Sequence, residues 1–266
     1  MTGPCALTVV IFTRNDAEHL RACLARLEEC PPSLPFEILV LDNASEDDSA
    51  EVVASFEGAL PLRRLYEAEE TSFSRGNNRG LAEAKGSHVL FLNPDTLPEG
   101  PCLDACVRLL EVWPKFGLVS PRLHYPDGSH QPTGWHLPTP ARLVAEHAMG
   151  ASSELPADPG GLTEVGWLMG CFLMGRRAEL EELGGFDEEF WFHGTDLELC
   201  ARMGALGKRV VRIEEHSMVH VGHQSWDAER RRRVHDALSQ WLRRDRGLLA
   251  GGAVGLVSRA VEVLRS

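Results

Sequence analysis

Val89-Leu90-Phe91-Leu92 runs directly into Asn93-Pro94-Asp95-Thr96, and this junction constrains the fold more than any other stretch of the chain. A short apolar run with no polar alternation describes a strand buried on both faces, as in a parallel sheet. The polar break then opens at the strand's carboxyl end, where ligands of open α/β sheets bind. A carboxylate placed there can hold a divalent cation, and the cation can hold a phosphate. Taken alone, Asn-Pro and Pro-Asp also describe an ordinary turn. The rest of the chain decides between the two.

The same rhythm recurs through the first half. Leu7–Phe12, Phe36–Leu41, Leu62–Tyr66, His88–Leu92 and Gly117–Ser120 read as strands. Between them, Leu20, Cys23, Leu24 and Leu27 fall at helical spacing, as do Val52, Val53 and Phe56. Ser45-Glu46-Asp47-Asp48 has the form of a capping box opening the second helix. Asn77–Lys85 and Leu103–Trp113 complete the helices. This βαβα alternation predicts an α/β fold: a mostly parallel, Rossmann-like sheet with helices on both faces.

After Tyr125-Pro126-Asp127-Gly128, a strong turn signal, the pattern loosens. Residues 132–163 are rich in Pro, Gly and Ala, with one short helix expected near Ala141–Met149. Val165–Met174 reads as a strand and Arg177–Leu183 as a helix closed by Gly184-Gly185. Asp196–Leu206 is a second helix, and Arg209–Ile213 and Ser217–Val221 are closing strands. Glu229–Arg246 and Ala253–Leu264 form a C-terminal helical tail.

Charge and cysteine content narrow the function. The 266 residues carry a net charge of −12, which argues against nucleic-acid binding. From Trp226 to Ser266 there are nine Lys or Arg against five Asp or Glu, a local +4 that leaves −16 on the preceding residues. A basic segment followed by Leu256, Val257, Ala260, Val263 and Leu264 at helical spacing fits an interfacial helix on an anionic membrane. It equally fits packing on the body or on a second subunit of a homodimer. The seven cysteines include no CxxC pair and read as thiols of a reduced, cytoplasmic protein. No signal peptide is evident, and Gly247–Val257 is too short to span a bilayer.

Candidate site residues collect at strand ends: Thr13-Arg14-Asn15 after the first strand, Asp42-Asn43 after the second, Asn93 to Asp95 after the fourth, and His220 in the last. An acid after the second strand is placed for a ribose hydroxyl or a base edge. Neither GxGxxG nor GxxxxGK[ST] is present, so neither a dinucleotide fold nor a P-loop is indicated, and a metal must handle any phosphates.

The ordered set VVIFTRN, VLDNASEDDS, SRGNNRGLAEAKGSHVLFLNPDT, SPRLHYPDGS, GGFDEEFWFHGTDLELCAR and HSMVHVGHQS resembles the family 2 glycosyltransferases, and among them the rhamnosyltransferase-like members with NPDT in place of DxD. The resemblance covers roughly residues 6–225 and implies a GT-A fold. It implies a domain at 1–225, with a nucleotide-sugar half at 1–121 and an acceptor half at 122–225, and a separate tail at 226–266. It implies inverting transfer from dTDP-rhamnose or a UDP-sugar to a glycan or lipid-linked glycan, on the inner face of the cell membrane. Carried over by residue, Asp42, Thr13, Asn15 and Asn78 line the nucleoside pocket. Asp95 and His220 hold Mg²⁺ or Mn²⁺, and Asp196 is the general base. Trp167, Gly170, Trp191, Phe192 and His193 are candidates for an acceptor platform, since aromatic faces stack on sugars, with core packing the competing reading. Two positions depart from the family pattern: Asn93 replaces the first Asp of DxD, and Thr195 replaces a Glu before the base. A binding protein that has lost catalysis and a sugar nucleotidyltransferase are the other two readings. The latter lacks its Gly-rich basic loop here.

Overall fold

The computed structural model describes residues 5–139, 141–142, 154–222 and 228–246. Four strands, β1 (Leu7–Thr13), β2 (Phe36–Asn43), β3 (Leu62–Glu67) and β4 (His88–Leu92), form a parallel block in the order β3-β2-β1-β4. Helices α1 (Ala17–Glu29), α2 (Ser49–Ser55) and α3 (Phe73–Glu83) make the crossovers. The absence of polar alternation in β1 follows from burial on both faces. Val9 and Ile11 enter one apolar cluster with Leu20, Leu24 and Leu90, whereas Val10 enters the other with Leu39, Leu81 and Phe91.

The SRGNNRG segment explains how tightly α3 lies on the sheet. A Cβ added at Gly76 would come within 2.2 Å of the Phe12 ring, and one at Gly80 within 2.4 Å of Val10 Cγ1. Glycines four apart share a helix face. That face is bare so that the helix can approach β1.

Beyond β4 the sheet departs from a purely parallel order. After the two-residue strand β5 (Thr96–Leu97) and helix α4 (Gly100–Val112) comes β6 (Phe116–His124), longer than Gly117–Ser120. β6 does not pair with β4. The expected strand Val165–Met174 breaks into β9 (Leu162–Val165), β10 (Trp167–Leu168) and β11 (Phe172–Arg176), and β11 inserts antiparallel between β4 and β6. β10 leaves the main sheet to pair with β8 (Gly134–Trp135), while β7 (His130–Gln131) pairs with β6. The two expected closing strands are one, β12 (Arg209–His220), with a register irregularity between Ile213 and Ser217. β12 runs parallel to β6 and antiparallel to β5 and β9.

Other local expectations change. Helix α3 starts at Phe73 rather than Asn77, because Ser72 caps it by accepting the Arg75 N–H at 3.1 Å. Ser45 does not cap α2. The N-cap position is held by Asp48 without a side-chain cap bond, and the preceding Asp47 accepts from the Ser49 backbone and hydroxyl while its other oxygen takes the Ala17 N–H at 2.9 Å. Helix α5 (Arg177–Glu182) ends at Gly184 and Gly185, both at positive φ, and is followed by α6 (Thr195–Ala205). All seven cysteines are free thiols.

The last helix among the described residues, α7 (Ala228–Arg246), docks on the body. Trp241 and Leu242 are buried in a cluster with Phe190 and Leu197, and Arg244 pairs with Asp187 at 2.6 Å. The short helix expected near Ala141–Met149 falls almost wholly outside the described residues, as does the apolar stripe Leu256 to Leu264.

Candidate active site

The carboxyl ends of β1 and β4 and the end of β12 open on a cleft of about 700 Å³. Arg14, Asn93, Pro94, Asp95 and His220 line one part of it, and Trp167, Gly170, His193 and Asp196 another. The residues expected for cation, base and acceptor line this cleft except Trp191, whereas of those expected for the nucleotide only Arg14, Asn93 and Asp95 do.

At the β1–β2 end the polar residues are already engaged with each other. Asp42 is fully buried; its Oδ1 accepts the Ser45 N–H at 3.0 Å and its Oδ2 accepts from Arg64 at 2.5 Å. Asn15, at φ +50, donates its N–H to Ser45 Oγ at 3.1 Å and accepts the Glu46 N–H at 2.7 Å, so it ties the two loops together. Asn43 accepts the Thr71 N–H at 2.7 Å and donates to the Thr71 carbonyl at 3.1 Å. Arg14 pairs with Glu70 at 2.9 Å. Thr13 Oγ1 is buried with no hydrogen-bond partner among the described residues. Of these residues only Arg14 lines the cleft; Thr13, Asn15, Asp42 and Asn43 lie behind it, and Asn78 is held elsewhere. It accepts the Phe186 N–H at 2.7 Å and donates to the Phe186 carbonyl at 2.9 Å, and it is not among the cleft-lining residues. Its amide satisfies the backbone of the turn after α5.

Asp95 and His220 are brought together by a two-residue strand. β5 pairs with β12 so that Thr96 lies opposite His220. The Asp95 carbonyl accepts the Val221 N–H at 2.9 Å, and its Oδ2 accepts the Gly222 N–H at 3.2 Å. His220 Nε2 lies 3.3 Å from Asp95 Oδ1, a charge contact without the alignment of a hydrogen bond. Burial alone would raise the Asp95 pKa, but His220 and the more distant His19 hold it below the usual carboxylate value. Burial disfavours a charged His220, yet Cys171 and Asp95 outweigh it and push the imidazole up to about 10. Both shifts describe an ion pair, an ionised Asp95 beside a protonated His220, whose Nε2 proton a bound cation would displace. A buried imidazole nitrogen with no aligned partner, facing a carboxylate, is a donor set that fits a divalent cation. Among the described residues no third His, Cys, Asp or Glu joins them, so other positions would fall to phosphate oxygens or water. Asn93 lines the cleft beside them and anchors the loop, its N–H donating to the Cys171 carbonyl at 2.9 Å.

Asp196 sits in the first turn of α6, where free backbone N–H groups favour an anion. Its Oδ1 accepts its neighbour Leu197's N–H at 2.8 Å and its Oδ2 accepts the Gly170 N–H at 3.0 Å. Burial nevertheless dominates and raises its pKa above the usual carboxylate value. A carboxylate in this state can take a proton from a neutral hydroxyl. Thr195 is buried, with its hydroxyl directed at the Phe192 carbonyl at 3.3 Å. Glu198 is unavailable as a base: Arg202 holds both of its oxygens at 2.6 Å and also binds the Leu183 and Gly185 carbonyls.

The aromatic candidates divide. Trp167 lines the cleft and stacks on Trp135 with centroids 4.3 Å apart. Phe192 and His193 line it too, in edge contact with each other. Trp191 is exposed and lies outside the lining; its carbonyl accepts the Phe73 N–H at 3.0 Å. Three contributions to the site, two on the cleft wall and one behind it, escaped the sequence reading. Trp135 sits in a Pro- and Gly-rich stretch with no periodicity to mark it. Gln131 contacts His220 from another two-residue strand. Arg233, Val234, Ala237 and Leu238 of α7 line the cleft, although the basic run suggested a membrane surface.

Known proteins resemble the chain in both sequence and shape. The description "Glycosyl transferase family 2" matches residues 8–182, a span that ends before Asp196 and His220. The N-acetylglucosaminyl-diphospho-decaprenol L-rhamnosyltransferase of Mycobacterium tuberculosis is 27% identical over 235 residues, covering 80% of this chain and 75% of the relative. The O-antigen biosynthesis protein RfbC of Myxococcus xanthus is 32% identical over 249 residues, covering 90% of this chain but 19% of that much longer protein. A mannosyltransferase from Pyrobaculum calidifontis, solved in complex with GDP-Man and Mn²⁺, superposes with a TM-score of 0.66 at 20% identity, covering 98% of this chain and 74% of that one. With that sheet order, that cleft and a family match over most of its length, the chain belongs to glycosyltransferase family 2 and has the GT-A fold.

Proposed function

We propose that this glycosyltransferase moves a sugar, with inversion, from a nucleotide-diphosphate donor to a glycan or lipid-linked glycan acceptor. The observation that carries the reading is that the Asp95–His220 pair and the Asp196 carboxylate open onto one cleft. The dTDP-rhamnose or UDP-sugar donor lies over the ends of β1, β2 and β4. Asp42, Asn15 and Thr13 serve the nucleoside, with Arg14, Asn43 and Asn93 supporting the pocket. Asp95 and His220 hold Mg²⁺ or Mn²⁺, which supplies positive charge to the diphosphate leaving group. Asp196 removes the proton of the acceptor hydroxyl. The acceptor oxygen bonds to the anomeric carbon from the face opposite the leaving group, and the nucleoside diphosphate departs with the electron pair.

Two facts support the acceptor class. The cleft wall combines Trp135 and Trp167 with Val234 and Leu238 of α7, and carries Arg233, a mixture suited to a sugar on an apolar, phosphate-bearing carrier. The mycobacterial relative's name specifies a diphospho-decaprenol acceptor and a rhamnosyl group. The nucleotide half at 1–121, the acceptor half at 122–225 and a tail reaching an anionic membrane belong to the same reading. No helix among the described residues is long and apolar enough to cross a membrane.

The test is donor binding with Mn²⁺ present, followed by calorimetry, in the native protein and in Asp95→Ala. The variant should keep its fold and lose metal-dependent affinity for the nucleotide sugar. Unchanged affinity in Asp95→Ala would overturn the assignment.

A further inference from the structure

Gln131 lies behind His220, on the side away from Asp95. It is 4% exposed and belongs to β7, which pairs Gln131 with Leu123 of β6. Its Oε1 is 2.9 Å from His220 Nδ1. An amide oxygen can only accept, so Nδ1 must carry the proton. In a neutral imidazole that leaves the lone pair on Nε2, the nitrogen facing Asp95 Oδ1.

Packing leaves Gln131 little freedom. Its carbonyl accepts the Thr133 hydroxyl at 2.9 Å. Its Nε2 abuts Gly222, where an added Cβ would come within 3.0 Å of Gln131 Nε2 and 3.3 Å of His220 Cε1. Gly222 has φ +55 and donates its N–H to Asp95 Oδ2. One glycine thus permits the close approach of Gln131 and His220, while its N–H holds Asp95.

We propose that Gln131 is a positioning residue for the cation site: it fixes His220 in the tautomer and orientation that present Nε2 beside Asp95. This rests on the reading that Asp95 and His220 hold the divalent cation. A neutral amide orients the ring without adding charge, which leaves Asp95 as the pair's single carboxylate. Partners of this kind, one step removed from a metal, are worth about 10- to 100-fold in metal affinity.

The experiment is a Mn²⁺ titration followed by electron paramagnetic resonance, with UDP and separately with dTDP. It uses the full chain and the variants Gln131→Leu, Gln131→Asn, Gln131→Glu, His220→Ala and Asp95→Ala, each checked for folding by thermal melting. Gln131→Leu should weaken Mn²⁺ binding about 10- to 100-fold. Gln131→Asn, one methylene shorter, should weaken it comparably, because its oxygen no longer reaches Nδ1. Gln131→Glu restores an acceptor at the same reach and should bind within a few-fold of native. If His220→Ala loses Mn²⁺ while folded Gln131→Leu or Gln131→Asn binds it as tightly as native, the role of Gln131 is refuted and the cation site stands. If His220→Ala and Asp95→Ala both bind Mn²⁺ like the native protein, the cation site itself is refuted, and the inference with it.

Discussion

Asp196→Asn exchanges one carboxylate oxygen for an NH₂ group and preserves the shape of the side chain. The native carboxylate accepts two backbone N–H groups, those of Leu197 at 2.8 Å and Gly170 at 3.0 Å. An amide has one acceptor oxygen, so it keeps one of these bonds and turns a donor toward the other N–H. Leaving that N–H unsatisfied costs about 1–3 kcal/mol. An opposing contribution comes from charge. Burial raises the Asp196 pKa. An acid with a raised folded pKa contributes stability below its unfolded pKa of about 3.9 and loses it as pH rises through the folded value. At neutral pH the ionised carboxylate therefore weakens the native fold, and the amide removes that penalty. The variant should stay folded.

Its rate should not survive. A positioned general base contributes about 10²- to 10⁴-fold, or roughly 3–5 kcal/mol of barrier. Donor affinity, measured by calorimetry with Mn²⁺, should be unchanged, while release of nucleoside diphosphate in the presence of acceptor falls by that factor. In the native enzyme the base must be ionised. The acidic limb of kcat/KM should thus lie above the usual carboxylate range, with a tenfold loss per pH unit below it. Turnover of Asp196→Asn within a few-fold of native would refute the reasoning. Because Arg202 occupies both oxygens of Glu198, His193 would then become the remaining candidate on the cleft wall.

Trp241→Ala should cost about 3–5 kcal/mol in urea unfolding, since Trp241 is 4% exposed and anchors α7 against Phe190 and Leu197. Unaltered unfolding would mean that α7 does not dock as described. Asn78→Ala should lose about 1–3 kcal/mol of stability by orphaning the Phe186 backbone, while donor KM stays within twofold of native. A large rise in donor KM without loss of stability would return Asn78 to the nucleoside pocket.

The sequence by itself determined the order of the parallel block's elements. Strands buried on both faces need unbroken apolar runs, and crossover helices need apolar residues at 3.6-residue spacing, so β1, β2, β4 and α1 are written locally, while the edge strand β3, LRRLYE with no buried residue, is not. It also placed Asp95 and Asp196 at element ends, because a strand's carboxyl end and a helix's first turn both have local signatures. The tertiary structure decided what those ends face. Strands β5, β7, β8 and β10 are two residues each, too short to carry a period, yet they seat Asp95 beside His220, Gln131 behind it and Trp135 against Trp167. The antiparallel insertion of β11 is a pairing choice between distant segments, and a run such as Val165–Met174 looks the same whether it continues or breaks. Asn78 shows the limit most plainly. Its helix was legible, but its amide is claimed by the Phe186 backbone, a partner no local pattern announces. Arg233 was legible as charge alone. Burial of Trp241 and Leu242 on the body is what carries its helix to the cleft rather than away from it.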